Sequence, residues 1–202
     1  MSRVRVAGAI PLEGALGPGH GYPSTRSGLH PIFLAALLAT VTMLFASLTA
    51  AILIRRGGSD WVPVQLPGIV WVNALVILAS SALLELAKRS LRVGDEPKAP
   101  VWLGLAAALG VVFLGGQLLA WSSLMEQGVF LPTSPHAAFF YMLSAIHGAH
   151  VVGGLGALAW TLRRALKGVY SAQEHRGLSH AAIYWHYVGA IWIYLLLVLR
   201  IA

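Results

Sequence analysis

The chain is predicted to be all-α, an integral membrane bundle of five antiparallel transmembrane helices. Three observations carry that reading. Of 202 residues, 57% are apolar and only 10% are Asp, Glu, Lys or Arg, where ordinary soluble proteins carry roughly 25% charged residues. The mean hydropathy is +0.74. Five stretches each offer the about 20 uncharged residues that a helix needs to cross the hydrocarbon core. A soluble enzyme, a disordered chain and a nucleic-acid-binding domain are thereby excluded. The formal net charge of +7 then reflects the Lys/Arg asymmetry of membrane-protein loops, not phosphate binding. Cysteine is absent, which removes disulfides, thiolate metal sites, Fe–S clusters and cysteine nucleophiles together.

Residues 1–30 are rich in Gly and Pro and contain no apolar run long enough to cross a bilayer or serve as a signal peptide. They read as a flexible cytoplasmic tail. The first span, 31–54, ends at Arg55-Arg56-Gly57-Gly58. The second, 66–84, opens on Leu66-Pro67, where proline suits a first helical turn. The third, 100–124, also opens on proline, and the fourth and fifth cover 136–162 and 180–199. The connectors are short and rich in Gly, Pro, Ser and charge, which is turn chemistry and not a domain boundary. Residues 31–202 therefore form one membrane domain. Trp61, Trp102 and Trp121 fall near span ends, where interfacial aromatics belong.

Orientation follows from the basic residues. The tail, the second connector and the fourth connector share one side and hold eleven Lys and Arg, among them Lys88, Arg89, Arg163 and Arg164. The other side holds three, namely Arg55, Arg56 and Arg200. That bias places the N-terminus in the cytoplasm and the C-terminus outside.

Polar side chains inside hydrocarbon are costly and mark candidate sites. The spans carry Thr40, Thr42, Ser47, Thr49, Asn73, Ser80, Ser81, Gln117, Ser122, Ser123, Tyr141 and Ser144. The fourth and fifth add His136, His147, His150, His180, Tyr184, His186 and Tyr194. Serine and threonine hydroxyls can return their bonds to the helix backbone and let helices approach closely. Asn73, Gln117, His147, His150, Tyr184 and His186 are the candidates for polar bonding between helices. His147 and His150 share a helix face, and with His186 they could in principle ligate a metal or haem. Depth opposes that reading. His186 lies about 9 Å from the cytoplasmic end of its span, against about 18 Å for His150.

Carboxylates are absent from the five spans. Glu85 follows the second span, three and four residues before Lys88 and Arg89, and an interfacial ion pair explains it. Proton pumps and ion-coupled transporters generally route charge through buried ionisable groups, so an autonomous transporter is disfavoured. Glycines cluster at Gly115-Gly116 and at Gly148, Gly153, Gly154 and Gly156, which reads as close helix packing.

Several segments together resemble subunit III of the haem-copper terminal oxidases. Phe139-Phe140-Tyr141-Met142-Leu143-Ser144-Ala145-Ile146-His147-Gly148-Ala149-His150-Val151, followed by Gly153-Gly154, is similar to the family's HGxHV region. Tyr184-Trp185-His186-Tyr187-Val188, with Trp192 four residues on, is similar to its YWHFVD…W signature. Shorter matches are Met43-Leu44-Phe45-Ala46, Leu66-Pro67 with Asn73 and Ser80-Ser81, and Phe113-Leu114 with Gln117 and Trp121. They occur in family order and cover nearly everything after His30, and five spans match the shorter bacterial form. Where the family commonly carries four carboxylates, this chain has Val41, Ala120, Ser179 and Gly189.

The resemblance implies a non-catalytic subunit of a respiratory oxidase that reduces dioxygen in a bacterial inner membrane. It implies partner subunits I and II, haem and copper held only by those partners, and phospholipid bound between helices. Apolar clefts would suit acyl chains, and Lys88, Arg89, Arg163 and Arg164 would suit anionic headgroups. The missing acids imply a subunit that keeps its scaffold and assembly role without acid-dependent functions. Two alternatives stand beside this reading: a five-helix accessory protein of a nitric oxide reductase system, and a small haem- or metal-binding membrane protein.

Overall fold

The computed structural model describes residues 26–170 and 176–202. Five helices account for almost all of them: α1 (Arg26–Arg55), α2 (Ile69–Arg92), α3 (Ala99–Glu126), α4 (Pro135–Leu166) and α5 (Arg176–Ile201). A single 3₁₀ turn at Glu96–Lys98 precedes α3. All five are long and apolar enough to cross a membrane. Even the shortest, α2 with 24 residues, extends roughly 36 Å at 1.5 Å per residue, against a hydrocarbon core of about 30 Å. Residues 1–25 of the expected tail, with Arg3 and Arg5, lie outside the described residues.

The helices overrun the uncharged stretches because charged side chains are compatible with helix once the chain leaves hydrocarbon. Thus α2 continues through Lys88 and Arg89 to Arg92, with Glu85 about two turns inside its end, and α4 continues through Arg163 and Arg164 to Leu166. At its start α2 is shorter than expected. Leu66-Pro67 precedes the helix, Gly68 is the N-cap, and the Pro67 carbonyl accepts the Val70 N–H at 3.1 Å. Ser134 caps α4 by accepting the Ala137 N–H at 3.2 Å, with Pro135 in the first turn. Gly94 and Gly128, with φ of 79° and 76°, follow the ends of α2 and α3. That left-handed backbone suits glycine, which has no Cβ to clash.

Helices α2, α3, α4 and α5 form a square in which each packs on its two neighbours, α2 and α3 most extensively. The diagonals are α2 with α4 and α3 with α5. Helix α1 lies outside the square, against α4 and α5, and among the described residues makes no close backbone approach to α2. Sequential neighbours are thus not all spatial neighbours. Trp185, Trp192, Phe113 and Phe140 are fully buried in the square, and Phe45 brings α1 against it. Two glycines make room for Trp185. A Cβ at Gly110 would lie 2.6 Å from its ring, and one at Gly154 would lie 2.9 Å away. Close packing is therefore confined to particular glycines. Gly115, Gly148 and Gly156 have nothing near enough to exclude a methyl group.

Candidate functional site

The buried polar side chains sit mainly at helix–helix seams. Between α2 and α3, Asn73 donates its Nδ2 to the Phe113 carbonyl at 2.8 Å, and Ser80 donates its hydroxyl to the Ala106 carbonyl at 2.7 Å. Asn73 and Ser80 are two turns apart on α2, and their acceptors are equally far apart on α3 in the reverse direction. The two bonds consequently define one antiparallel register. Asn73 fits because Gly116 faces it, and a Cβ at that position would collide with the amide. Ser80 also accepts the Trp185 indole N–H at 3.0 Å, so one hydroxyl ties α5 to both members of the pair.

Helix α1 is fastened to α5 by tyrosines. Tyr194 donates to Thr49 Oγ1 at 3.0 Å, and Tyr187 pairs with Thr42 while its hydroxyl also lies 3.2 Å from the Leu38 carbonyl. The threonines donate to their own backbone at Leu38 and Phe45, leaving oxygen lone pairs for the tyrosines. Both pairs advance in the same direction along the two helices, which are therefore parallel. Tyr187 entered the sequence expectations only as part of the 184–188 motif, not as a residue bonding helices. The signal was present as two tyrosines seven residues apart on one span and two threonines seven apart on another.

Trp121 donates to Ser144 Oγ at 3.0 Å across α3 and α4, and the Tyr184 hydroxyl donates to the His150 carbonyl at 3.1 Å across α5 and α4. At the end of the bundle where α4 begins, His136 is fully buried. Its Nδ1 accepts the Val64 N–H at 2.9 Å, and its Nε2 lies 3.0 Å from the Leu199 carbonyl. A carbonyl only accepts, so the proton is on Nε2, and the ring joins the 56–68 connector, α4 and α5. Trp61 closes on it edge to face at 5.3 Å and donates to the Ala202 carbonyl at 2.9 Å. Trp61 and Trp121, expected as interfacial aromatics, are thus built into the bundle. His136 stood among the polar side chains of the fourth span but not among the candidates for bonding between helices, although Ser134-Pro135 directly before it marks a helix start.

His147 and Gln117 differ from the expectation of bonding between helices. His147 stacks on Trp192 with ring centroids 4.9 Å apart and an interplanar angle of 24°, and the Phe113 ring meets it edge-on at 5.8 Å. Neither of its ring nitrogens has a hydrogen-bond partner among the described residues, nor does either atom of the Gln117 amide or the Trp192 indole N–H. Aromatic faces surround the imidazole and leave it no acceptor. His150 uses its Nδ1 within α4, donating to Ile146 at 2.8 Å. Its contribution across the seam comes from its carbonyl, not its ring.

His186 reaches α2. Its Nε2 lies 2.7 Å from Glu85 Oε1, the same oxygen that accepts Lys88 Nζ at 2.7 Å. Glu85 was expected to pair with Lys88 and Arg89; the structure replaces Arg89 with a histidine from α5. With His186 held by Glu85 and His150 by Ile146, the three histidines do not converge. Among the described residues no three His, Asp or Glu side chains group as metal ligands. Lys88 is engaged by Glu85, and Arg164 lies 5.5 Å above the Tyr170 ring, while Arg89 and Arg163 are exposed at the same end of the bundle. At the opposite end, an apolar groove of about 630 Å³ runs between α1 and α4, lined by Ala51, Ile54, Pro135, Phe139 and Met142.

A family model described as cytochrome c oxidase subunit III matches residues 25–201. Among curated proteins, the chain is similar to cytochrome c oxidase subunit 3 of Thermostichus vulcanus, 36% identical over 85% of this chain and 89% of that one. It is 34% identical to the subunit 3 of a Synechocystis species, over 87% of this chain and 75% of that one. A Bacillus subunit 3 is 30% identical over 76% of each chain. Matches of this extent to the same family, on a bundle with this helix count, leave one assignment: the chain belongs to the cytochrome c oxidase subunit III family.

Proposed function

We propose that this chain is the non-catalytic subunit III of a respiratory haem-copper oxidase that reduces dioxygen in a bacterial cell membrane. It packs against catalytic subunit I in a complex that includes subunit II, and it binds phospholipid. The observation that carries the non-catalytic role is the disposition of the polar groups on the helices. Asn73, Ser80, Trp121, Tyr184, Tyr187 and Tyr194 bond helix to helix, while His136, His150 and His186 each bond a different partner and His147 is packed among aromatic rings. Such an interior suits a subunit that braces a bundle, and among the described residues no three His, Asp or Glu side chains group as metal ligands. The haem and copper belong to the partner subunits in this reading. The basic residues favour a cytoplasmic N-terminus and an external C-terminus.

The nitric oxide reductase alternative is not favoured, since the curated relatives carry the oxidase name. Two of the positions where the family commonly has acids, Val41 and Ala120, are buried here among apolar neighbours. The chain therefore stabilises its complex without itself feeding protons through those positions.

Purification of the tagged chain in gentle detergent tests the proposal. Co-purification of a haem-containing subunit I and of subunit II is the expected result. A Soret band that stays with this polypeptide after the partners are stripped away would overturn it. So would a strong slowing of proton uptake when only this chain is missing.

A further inference from the structure

The flank of α2 turned away from the bundle carries an exposed stripe of Trp71, Leu75, Leu78, Ala82, Glu85 and Arg89. Its steps alternate between four and three residues, the spacing of a seam that packs against another helix at a shallow angle. Ala82 at its middle permits close approach. Apolar exposure alone would suit acyl chains equally well, but Glu85 does not. Apart from Glu126 at the end of α3, it is the only carboxylate in the five helices. It lies seven residues inside the end of α2, roughly 10 Å along the axis. Its side chain is 50% exposed and that of His186 is 33% exposed. Lys88 and His186 both bond Glu85 Oε1. The other carboxylate oxygen and His186 Nδ1 have no partner among the described residues. An ionisable cluster on the flank of a membrane helix is costly against lipid and is normally met by protein.

We propose that this α2–α5 flank is where a transmembrane helix of the oxidase core docks, setting a hydrogen-bond donor (hydroxyl, amide or guanidinium) against Glu85 and His186. The inference rests on membership of the oxidase complex and adds which face makes the contact and what chemistry it meets. The seam supplies apolar complementarity over the upper turns of α2. The unfilled acceptors supply the polar match near its basic end, where Arg89 continues the stripe.

The test places a photoreactive benzophenone side chain at position 82 of the full chain within the assembled complex, followed by irradiation and mass spectrometry of the adducts. A covalent adduct with a core subunit is expected. In parallel, Glu85→Leu should lower retention of the chain during detergent washing by roughly tenfold or more, as for a polar pair broken at an interface. Glu85→Gln, which keeps an acceptor, should fall between Glu85→Leu and the parent, with the helix content of both variants unchanged. Lipid adducts, adducts with a second copy of this chain, or no adducts in an assembled oxidase would overturn the docking flank alone. A chain that enters no oxidase but crosslinks to another polypeptide would overturn the subunit reading and, with it, the partner named here.

Discussion

The Trp185 indole N–H points at Ser80 Oγ from 3.0 Å, and with the bond that Ser80 itself makes to Ala106 it ties three helices together. Ser80 can accept because its own proton goes to the Ala106 carbonyl. Both side chains are fully buried, so neither group has water as a substitute. Ser80→Ala should therefore leave an indole N–H and a carbonyl without their partner. The expected cost is about 1–2 kcal/mol, above the about 0.6 kcal/mol average for hydrogen bonds between membrane helices. The double variant Ser80→Ala, Trp185→Phe should cost less than the sum of the two single changes. Unfolding titrations in SDS–detergent mixtures measure this, and strict additivity would count against the relay.

Adjacent glycines on α3 should behave oppositely. A Cβ at Gly116 collides with the Asn73 amide, whose Nδ2 is bonded to Phe113, whereas a Cβ at Gly115 meets nothing within 4 Å. Gly116→Ala should destabilise by about 1–3 kcal/mol through overpacking and loss of the Asn73 bond. Gly115→Ala should be neutral or slightly stabilising, since alanine favours helix. Melting of the two purified variants side by side decides it.

That contrast also shows what was legible beforehand. Five spans followed from charge-free length, because an apolar stretch of that size has few alternatives. Gly115 and Gly116 could not be told apart, because which one faces Asn73 depends on the rotation of α3 against α2. The register of Tyr187 and Tyr194 on Thr42 and Thr49 was hidden for a similar reason. Nothing in a linear reading says that α1 lies on α5 and not beside α2. Glu85 was visible as an ion-pair candidate, but Lys88 lies on its own helix and needs only local spacing. The partner His186 comes from α5, and only the packed square brings it within reach.

The two tyrosines that hold α1 predict a localised loosening. Tyr187→Phe and Tyr194→Phe should each cost on the order of 0.6 kcal/mol, and the double variant should weaken α1 more than the rest of the bundle. Hydrogen exchange followed by mass spectrometry should show faster exchange across Arg26–Arg55, with α2 and α3 unchanged. Uniform acceleration over all five helices would mean that the tyrosines serve the whole core.

His147 and His136 are both buried histidines of α4, yet they should respond in opposite ways to the same change. His136 uses both ring nitrogens, one toward Val64 and one toward Leu199. His136→Phe removes both bonds and strands a donor and an acceptor, for an expected loss of about 2–4 kcal/mol. His147 bonds nothing among the described residues and is held by stacking on Trp192 and by the edge of Phe113. His147→Phe keeps a ring in that slot and removes two polar atoms from a place that gives them no partner, so it should be tolerated within about 1 kcal/mol. His147→Ala, which leaves the slot empty, should cost about 2–4 kcal/mol. Equal damage from His147→Phe and His147→Ala would show that the imidazole nitrogens, not the shape of the ring, are what this position requires.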